Sequence, residues 1–404
     1  MAKIAVIGAG PAGMMAALFA SQAGHEVVII DSNEHVGRKL LVTGAGRCNL
    51  TNADVAAVRY ACDNPVWLNK VLNGFNRDEL IKFLESIGIL TFSTNDGWYY
   101  PVSESAHTVV DAFDAALDGH QVHRLLRKQV TGIDITGNGF NVMLHRDVIA
   151  ADQVIIACGG KAYPSMGSDG NLLGVVQQLG HKLHPVLPAL APVTADMRLL
   201  KGLLGVRLDA EITLLQGKRA LGKTSGNIIF TQWGLNGPGV MDLSYLVSTF
   251  PVKDLVLDLN LLHRFEEKLL ATFTSPLYSS MPLLVAVQSI LPPKMAAFII
   301  HTAGLSPETT LSKLKKPQRE TLMQLLTHFQ LNVTGTRGFD YCQVSTGGVS
   351  LTEVNPENME SLIVPGLFFA GEVLDVTGPC GGYNLQFAFS TGALAGMGAG
   401  RQPG

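Results

Sequence analysis

The first 31 residues constrain this chain more than any other stretch. Lys3 to Ile7 is a short apolar, β-branched run, Gly8 to Gly13 reads GxGxxG, and Met14 to Ala23 is rich in helix formers before Gly24 ends them. The pattern predicts strand, tight turn and helix in immediate succession. A second apolar run, Glu26 to Ile30, closes at Asp31, 23 positions after Gly8, near the interval of about 20 expected of a dinucleotide-binding βαβ unit. Each residue type has a task there. Gly8 permits the turn, Gly10 lets the backbone reach a pyrophosphate, and Gly13 lets helix pack on strand; the helix N-terminus offers unpaired N–H groups and positive potential. Asp31 would accept hydrogen bonds from the adenosine ribose. A glycine turn after a strand often serves only the turn, so the assembled context carries this reading. It does not separate NAD from FAD.

At 404 residues the chain is long for one core, and two or three domains of about 150 residues are expected. A hydrophobic fraction of 47% with 16% charged residues describes a globular protein without disordered tracts. The net charge of -3 argues against a broad electrostatic footprint for nucleic acid or anionic membrane, leaving only local basic patches. Five cysteines, Cys48, Cys62, Cys158, Cys342 and Cys380, show no CxxC spacing. They indicate neither a disulfide framework nor a metal site, and a reducing, cytoplasmic setting is the simplest expectation. Lys3 followed by apolar residues resembles a secretory signal, but Gly8 to Gly13 would break the apolar helix that such a signal needs. The stretch Pro282 to Leu291 is too short for a bilayer, which takes about 20 residues, so no membrane partner is expected.

Two further segments favour flavin. Ser32 to Asn52 sets Arg38, Lys39 and Arg47 among Gly37, Gly44 and Gly46, followed by Cys48 and Asn49. Basic side chains beside glycine-rich backbone suit phosphate oxygens or the ribityl and flavin carbonyls; a solvated basic loop is the plainer alternative. Near the other end, Leu367 to Ala370 reads as a short strand and Gly371 to Gly382 as a glycine-rich turn bearing Glu372 and Asp375. Tyr383 to Met397 then reads as a helix of small and apolar residues. A helix opening at Gly381 and Gly382 would face the flavin N1 and C2 carbonyl, where negative charge gathers on reduction. The alternative is a buried terminal helix after a glycine turn.

VGRKLLVTGAGRCNLTN, GGKAYPSMGSDG at Gly159 to Gly170, FTQWGLNGPGVMDLS at Phe230 to Ser244, and FAGEVLDVTGPCGGYNLQFAFSTGALAG together resemble the BaiN/RdsA-type FAD-dependent oxidoreductases. These are also grouped as aminoacetone-oxidase-like flavoproteins, and the resemblance runs along nearly the whole chain. It implies an α/β fold: a Rossmann-like FAD-binding domain built from both chain ends, 1–188 plus 341–404, with a β-rich, barrel-like insertion at 189–262. A small helical subdomain, 263–340, leads back to the β-rich part. It further implies that Gly8, Gly10, Pro11, Ala12, Gly13, Asp31, Arg38, Lys39, Gly44, Gly46, Arg47, Cys48, Asn49 and Gly159 surround FAD. Gly371, Glu372, Asp375, Gly381, Gly382, Tyr383, Asn384 and Gln386 complete that set. Cys158 stands where related flavoproteins often have threonine, and Cys380 where a more polar residue is usual.

Between Pro185 and about Asp258 short alternating segments such as Arg207 to Leu214 suggest antiparallel sheet. From His263 to about Gln330 the pattern turns helical, with one run over Leu283 to Ile300 and Ser306-Pro307 as a cap and first-turn pair. Lys313, Lys315, Lys316 and Arg319 make that part locally basic, as an exposed helix face also would. No second GxGxxG follows a strand, so NAD(P)H, which the family name implies, would have to meet the flavin directly, or another reductant must serve. The expected activity is hydride transfer between flavin N5 and a substrate. Tyr383, Asp375, His107 and Cys380 are the candidate catalytic residues, although a helix-start histidine and a packing cysteine are common. The family is linked to oxidation of small amines, reduction of steroid-like enones and reduction of uridine in ribosomal RNA. The competing class is a flavin-binding sensor or partner-binding protein without turnover, and the sequence does not address oligomeric state.

Overall fold

The N-terminal apolar run, Lys3–Ile7, is β1, the middle strand of a five-stranded parallel sheet. The computed structural model describes residues 1–263 and 265–400, and the chain divides into two compact units, Met1–Leu187 with Gln343–Gly404, and Pro188–Cys342.

In the first unit β1 pairs on one side with β2, Glu26–Ile30, which pairs with His123–Leu125; on the other side it pairs with Gln153–Ile156, which pairs with Leu367–Phe369. Ile4, Ala5, Val6, Ile29 and Val154 to Ile156 are buried. Strands covered on both faces read as unbroken apolar runs, as these do. Helix α1, Pro11–Gln22, joins β1 to β2. Against it lies the C-terminal helix, Tyr383–Gly398, which is buried on nearly every side and accordingly lacks a polar face. Its glycines make that approach possible, since a Cβ on Gly392 would lie 2.3 Å from the Ala12 carbonyl oxygen and one on Gly396 2.4 Å from that of Ala16. Smaller antiparallel sheets complete the unit: Val130–Thr136 with Gly139–Leu144 and Val148–Ala151, and Thr51–Asn52 with Trp98–Pro101 and Thr91–Ser93. The strand Leu183–Ala189 pairs with Val344–Val349.

The second unit is built on a closed six-stranded barrel of Val193–Ala195, Gly234–Asn236, Arg219–Thr231, Arg207–Gln216, Leu255–Asn260 and Phe329–Thr336. Alternation fills it: Leu255, Leu257 and Leu259 are buried while their neighbours are not. Three expectations are corrected here. The run Leu283 to Ile300 is two helices, Leu283–Gln288 and Pro293–Thr302, because Pro292 and Pro293 cannot continue the first. Ser306-Pro307 opens no helix; the Ser306 carbonyl accepts from the Thr309 N–H in a turn. The helical stretch ends with Lys316–Thr327, and Gln330 already belongs to the Phe329–Thr336 strand.

Candidate cofactor and active site

The three glycines of the first motif have three different environments. Gly8 has φ +107°, and a Cβ there would lie 2.4 Å from the Ala157 carbonyl oxygen. Gly13 leaves still less room, since its Cβ would lie 1.8 Å from the Gly8 carbonyl oxygen. Gly10 differs: φ is -77° and a Cβ would meet no protein atom within 4 Å. Sterics within the protein thus require glycine at the first and third positions, while the second faces open space. Gly10 caps α1 with Pro11 following, no side chain caps the helix, and its first turn carries no acid, so N–H groups and positive potential face that space. Asp31 accepts from the N–H of Ala9 and of Asn33, both at 2.7 Å, which turns its carboxylate toward the glycine loop. These features fit the diphosphate and adenosine ribose of FAD.

The loop after β2 is shaped by left-handed backbone at Gly44, Ala45, Gly46 and Cys48. Lys39 Nζ lies 2.8 Å from Glu372 Oε2, a partly buried pair joining this loop to the last glycine-rich turn. The other Glu372 oxygen accepts from the N–H and hydroxyl of Ser345, each at 2.9 Å. Gly160 closes the group from the Gly159 side, since a Cβ there would lie 2.0 Å from Ser345 Oγ. Arg38 is exposed and donates to Asn33, and Arg47 lies over the Tyr100 ring at 4.5 Å. Cys48 is fully buried and burial pushes its thiol up to about 12, as burial does for Cys158, so neither is a thiolate at neutral pH.

The last turn is as constrained as the first. Gly371, φ +77°, packs where a Cβ would lie 2.8 Å from Ala12 Cβ, joining the two motifs directly. Gly381 and Gly382, φ +115° and +93°, open the C-terminal helix, and a Cβ on Gly382 would lie 2.5 Å from the Thr51 carbonyl oxygen. Asn52 Nδ2 donates to the Gly381 carbonyl at 2.8 Å. Asn384 bonds both polar groups of Gly378 at 2.8 Å. The buried Gln386 accepts from Thr51 and donates to Ser390. Tyr383 is buried, its carbonyl accepting from the Tyr60 hydroxyl and its phenol meeting Arg59. Gly382 carries no side-chain cap and the helix's first turn has no acid.

Among the candidate catalytic residues, His107 lies exposed in the first turn of Ala106–Gly119 and Cys380 is half-buried in the turn. Asp375 accepts from His184 Nδ1 at 2.5 Å and from the Gly347 N–H at 2.9 Å. His184, Ser345 and Gly347 were absent from the sequence reading. The signal was present in VSTGG, Val344 to Gly348, whose glycine pair has φ +83° and +125°. A Cβ on Gly347 would lie 2.1 Å from the Pro185 carbonyl oxygen and one on Gly348 2.3 Å from that of Val373. Among the described residues no helix is long and apolar enough to cross a membrane, and no group of three His, Cys, Asp or Glu side chains is arranged to hold a metal.

The chain resembles known proteins along its whole length. Residues 2–398 match the family model described as HI0933-like protein Rossmann domain. The chain is 33% identical to a 3-dehydro-bile acid delta(4,6)-reductase of Clostridium scindens over 410 residues, covering 100% of each chain. It is 31% identical to a ribosomal RNA dihydrouridine synthase of Escherichia coli, covering 96% of this chain and 95% of that one. In fold it resembles the 3-ketosteroid-delta4-(5alpha)-dehydrogenase of Rhodococcus jostii at a TM-score of 0.50 and 14% identity, over 99% of this chain and 97% of that one. With the family model spanning both glycine motifs and everything between them, the chain belongs to the HI0933-like, BaiN/RdsA-type flavoprotein family and is an FAD-dependent oxidoreductase.

Proposed function

We propose that this protein works in the cytoplasm as a reductase of a carbon–carbon double bond conjugated to a carbonyl, taking electrons from NAD(P)H. Its acceptor in this reading is a small enone or a uracil base of ribosomal RNA. The observation that carries the reading is the Gly371–Gly382 turn, which meets Ala12 at one end and Thr51 and Asn52 at the other. FAD, when bound, supplies hydride from N5. The α1 N-terminus and Gly10 hold its diphosphate, Asp31 its adenosine ribose, and Lys39 with Glu372 the polar chain between. The uncapped opening of the C-terminal helix at Gly382 favours negative charge on the pyrimidine edge, which makes acceptance of electrons easier. The relatives' names support the bond chemistry, because a delta(4,6) bond of a 3-oxo steroid and the 5,6 bond of uracil are both conjugated to a carbonyl. For RNA, Lys313, Lys315, Lys316 and Arg319 supply a local basic patch in a unit whose 15 Lys and Arg exceed its 11 Asp and Glu.

The test follows the flavin absorbance of the purified holoprotein under anaerobic conditions. NADH or NADPH should bleach it, and a 3-oxo-4-ene steroid or unmodified ribosomal RNA should restore it. Loss of dihydrouridine from the ribosomal RNA of cells lacking the protein selects the RNA acceptor; an unchanged nucleoside profile with enone turnover selects the small molecule. A flavin that no donor reduces would instead mark a sensor without turnover and end the proposal.

A further inference from the structure

We infer that His184, held by Asp375, is the residue that gives the proton to the substrate carbon next to the carbonyl, an inference that rests on the reductase reading above. Adding hydrogen across a conjugated double bond needs hydride on the β-carbon and a proton on the α-carbon. The hydride and its electron pair come from the reduced flavin, which is refilled by the nicotinamide donor. The proton must come from an acid in the site.

Asp375 lies inside the turn whose two ends meet the dinucleotide loop and the Thr51–Asn52 strand, so it is carried by the segment assigned to the cofactor. Its Oδ1 is fixed by the Gly347 N–H at 2.9 Å and its Oδ2 by His184 Nδ1 at 2.5 Å, with side-chain exposures of 25% for His184 and 17% for Asp375. A carboxylate bonded to Nδ1 fixes the orientation of the ring, so that in the imidazolium form Nε2–H is the free donor. Among the described residues Nε2 of His184 has no hydrogen-bond partner. His181, three residues earlier, makes the contrast: it is buried, and both its nitrogens are engaged, by Glu353 at 3.1 Å and Ser361 at 3.0 Å. Around the dyad the Cys62 thiol lies in the field of Asp375 and is raised chiefly by burial, with Asp63 beside it. The nearest other carboxylate on the turn, Glu372, is neutralised by Lys39, and the facing segment Val344–Val349 carries no charged residue. Just before His184's strand, His181 Nδ1 and the Lys182 backbone N–H are bonded to Glu353, and the Lys182 side chain is exposed. The proton leaves Nε2, the ring stays bonded to Asp375 through Nδ1–H, and solvent returns the proton.

His184→Asn tests this, because its amide keeps a donor where Nδ1 was and removes Nε2. In the holoprotein, reoxidation of the flavin by the conjugated acceptor should slow by about 100-fold or more, with reduction by NAD(P)H, FAD content and melting temperature unchanged. An alkaline decline of wild-type kcat/KM should vanish in the variant. Reoxidation within about twofold of wild type and with the same pH profile overturns the inference. Histidine NMR on protein labelled with 15N gives a readout without turnover. Reducing the flavin should move the His184 ring 15N resonances at fixed pH, because the charge it gains acts on a neighbouring ring. Unmoved His184 resonances place the dyad away from the flavin and overturn the inference. If instead the resonances move while no conjugated acceptor reoxidises the wild type, the reductase reading fails and the dyad stands as an acid for another acceptor.

Discussion

Gly10→Ala separates cofactor binding from folding more cleanly than any other change at this site. In the free protein the new methyl meets nothing within 4 Å and φ is -77°, a value alanine adopts freely. Restricting the unfolded chain contributes about 0.4–1 kcal/mol of stability. Alanine is a poorer helix cap than glycine by a similar amount, about 0.5–1 kcal/mol. The two offset, so the apoprotein should melt within a few degrees of wild type, at about 2–4 °C per kcal/mol for units of this size. With FAD the balance changes, because the methyl occupies the space through which the diphosphate reaches the N–H groups of α1. Losing one or two hydrogen bonds to a charged group, at about 1.5–3 kcal/mol each, weakens FAD by about 10-fold to about 20,000-fold. Thermal melts of apoprotein and titration of FAD by quenching of its fluorescence measure both quantities on one sample. Gly13→Ala is the control: with its Cβ 1.8 Å from the Gly8 carbonyl oxygen, it should fail to fold rather than fold without flavin. FAD bound by Gly10→Ala as tightly as by wild type would refute the assignment of this loop to the diphosphate.

Gly382→Ala should cost more than about 3 kcal/mol, since both its φ of +93° and the 2.5 Å approach to the Thr51 carbonyl oxygen exclude a methyl; chemical denaturation of the apoprotein reads this. Lys39→Met leaves Glu372 half-buried without its cation, and a double-mutant cycle with Glu372→Gln should return a coupling of about 1–2 kcal/mol in urea midpoints. His181 is held below its ordinary pKa of 6.5, first by burial, with Glu353 opposing. The unfolded chain therefore binds this proton at higher pH than the folded one, and stability should fall as pH drops from about 6.5 to the folded value and stay level above about 6.5. His181→Asn should flatten that dependence, and an unchanged acid limb would show that another group sets it.

What could be read from the sequence was what neighbours along the chain decide. Strand, turn and helix from Lys3 to Gln22 follow from spacing alone, and so do the final strand and the helix from Tyr383. Proline misled where it has two uses. Ser306-Pro307 opens a turn as readily as a helix, and Pro292-Pro293 ends one helix while starting another. The site's internal bonds were harder to see because they join distant positions. Lys39 meets Glu372 across 333 residues and His184 meets Asp375 across 191. Each of these side chains is ordinary in its own segment. His184 sits in a short strand of mostly half-buried residues, and only the fold gives it a carboxylate.

The same topology explains why the two glycine-rich motifs, from opposite ends of the chain, lie together. Neighbouring parallel strands cannot be joined by a tight turn, so Leu367–Phe369, at the sheet edge beside Gln153–Ile156, has to come from a remote part of the chain. Nearly everything between could lengthen at small cost, since closing a loop twice as long adds only about 0.6 kcal/mol. The pairing of Leu183–Ala189 with Val344–Val349 brings the exit from the first unit and the return to it side by side, so the second unit enters as an insertion with its own barrel core. The Asp375–Gly347–His184 cluster lies on that pairing and on the final glycine-rich turn together. The dyad therefore depends on the ribbon through which the chain leaves and re-enters the first unit.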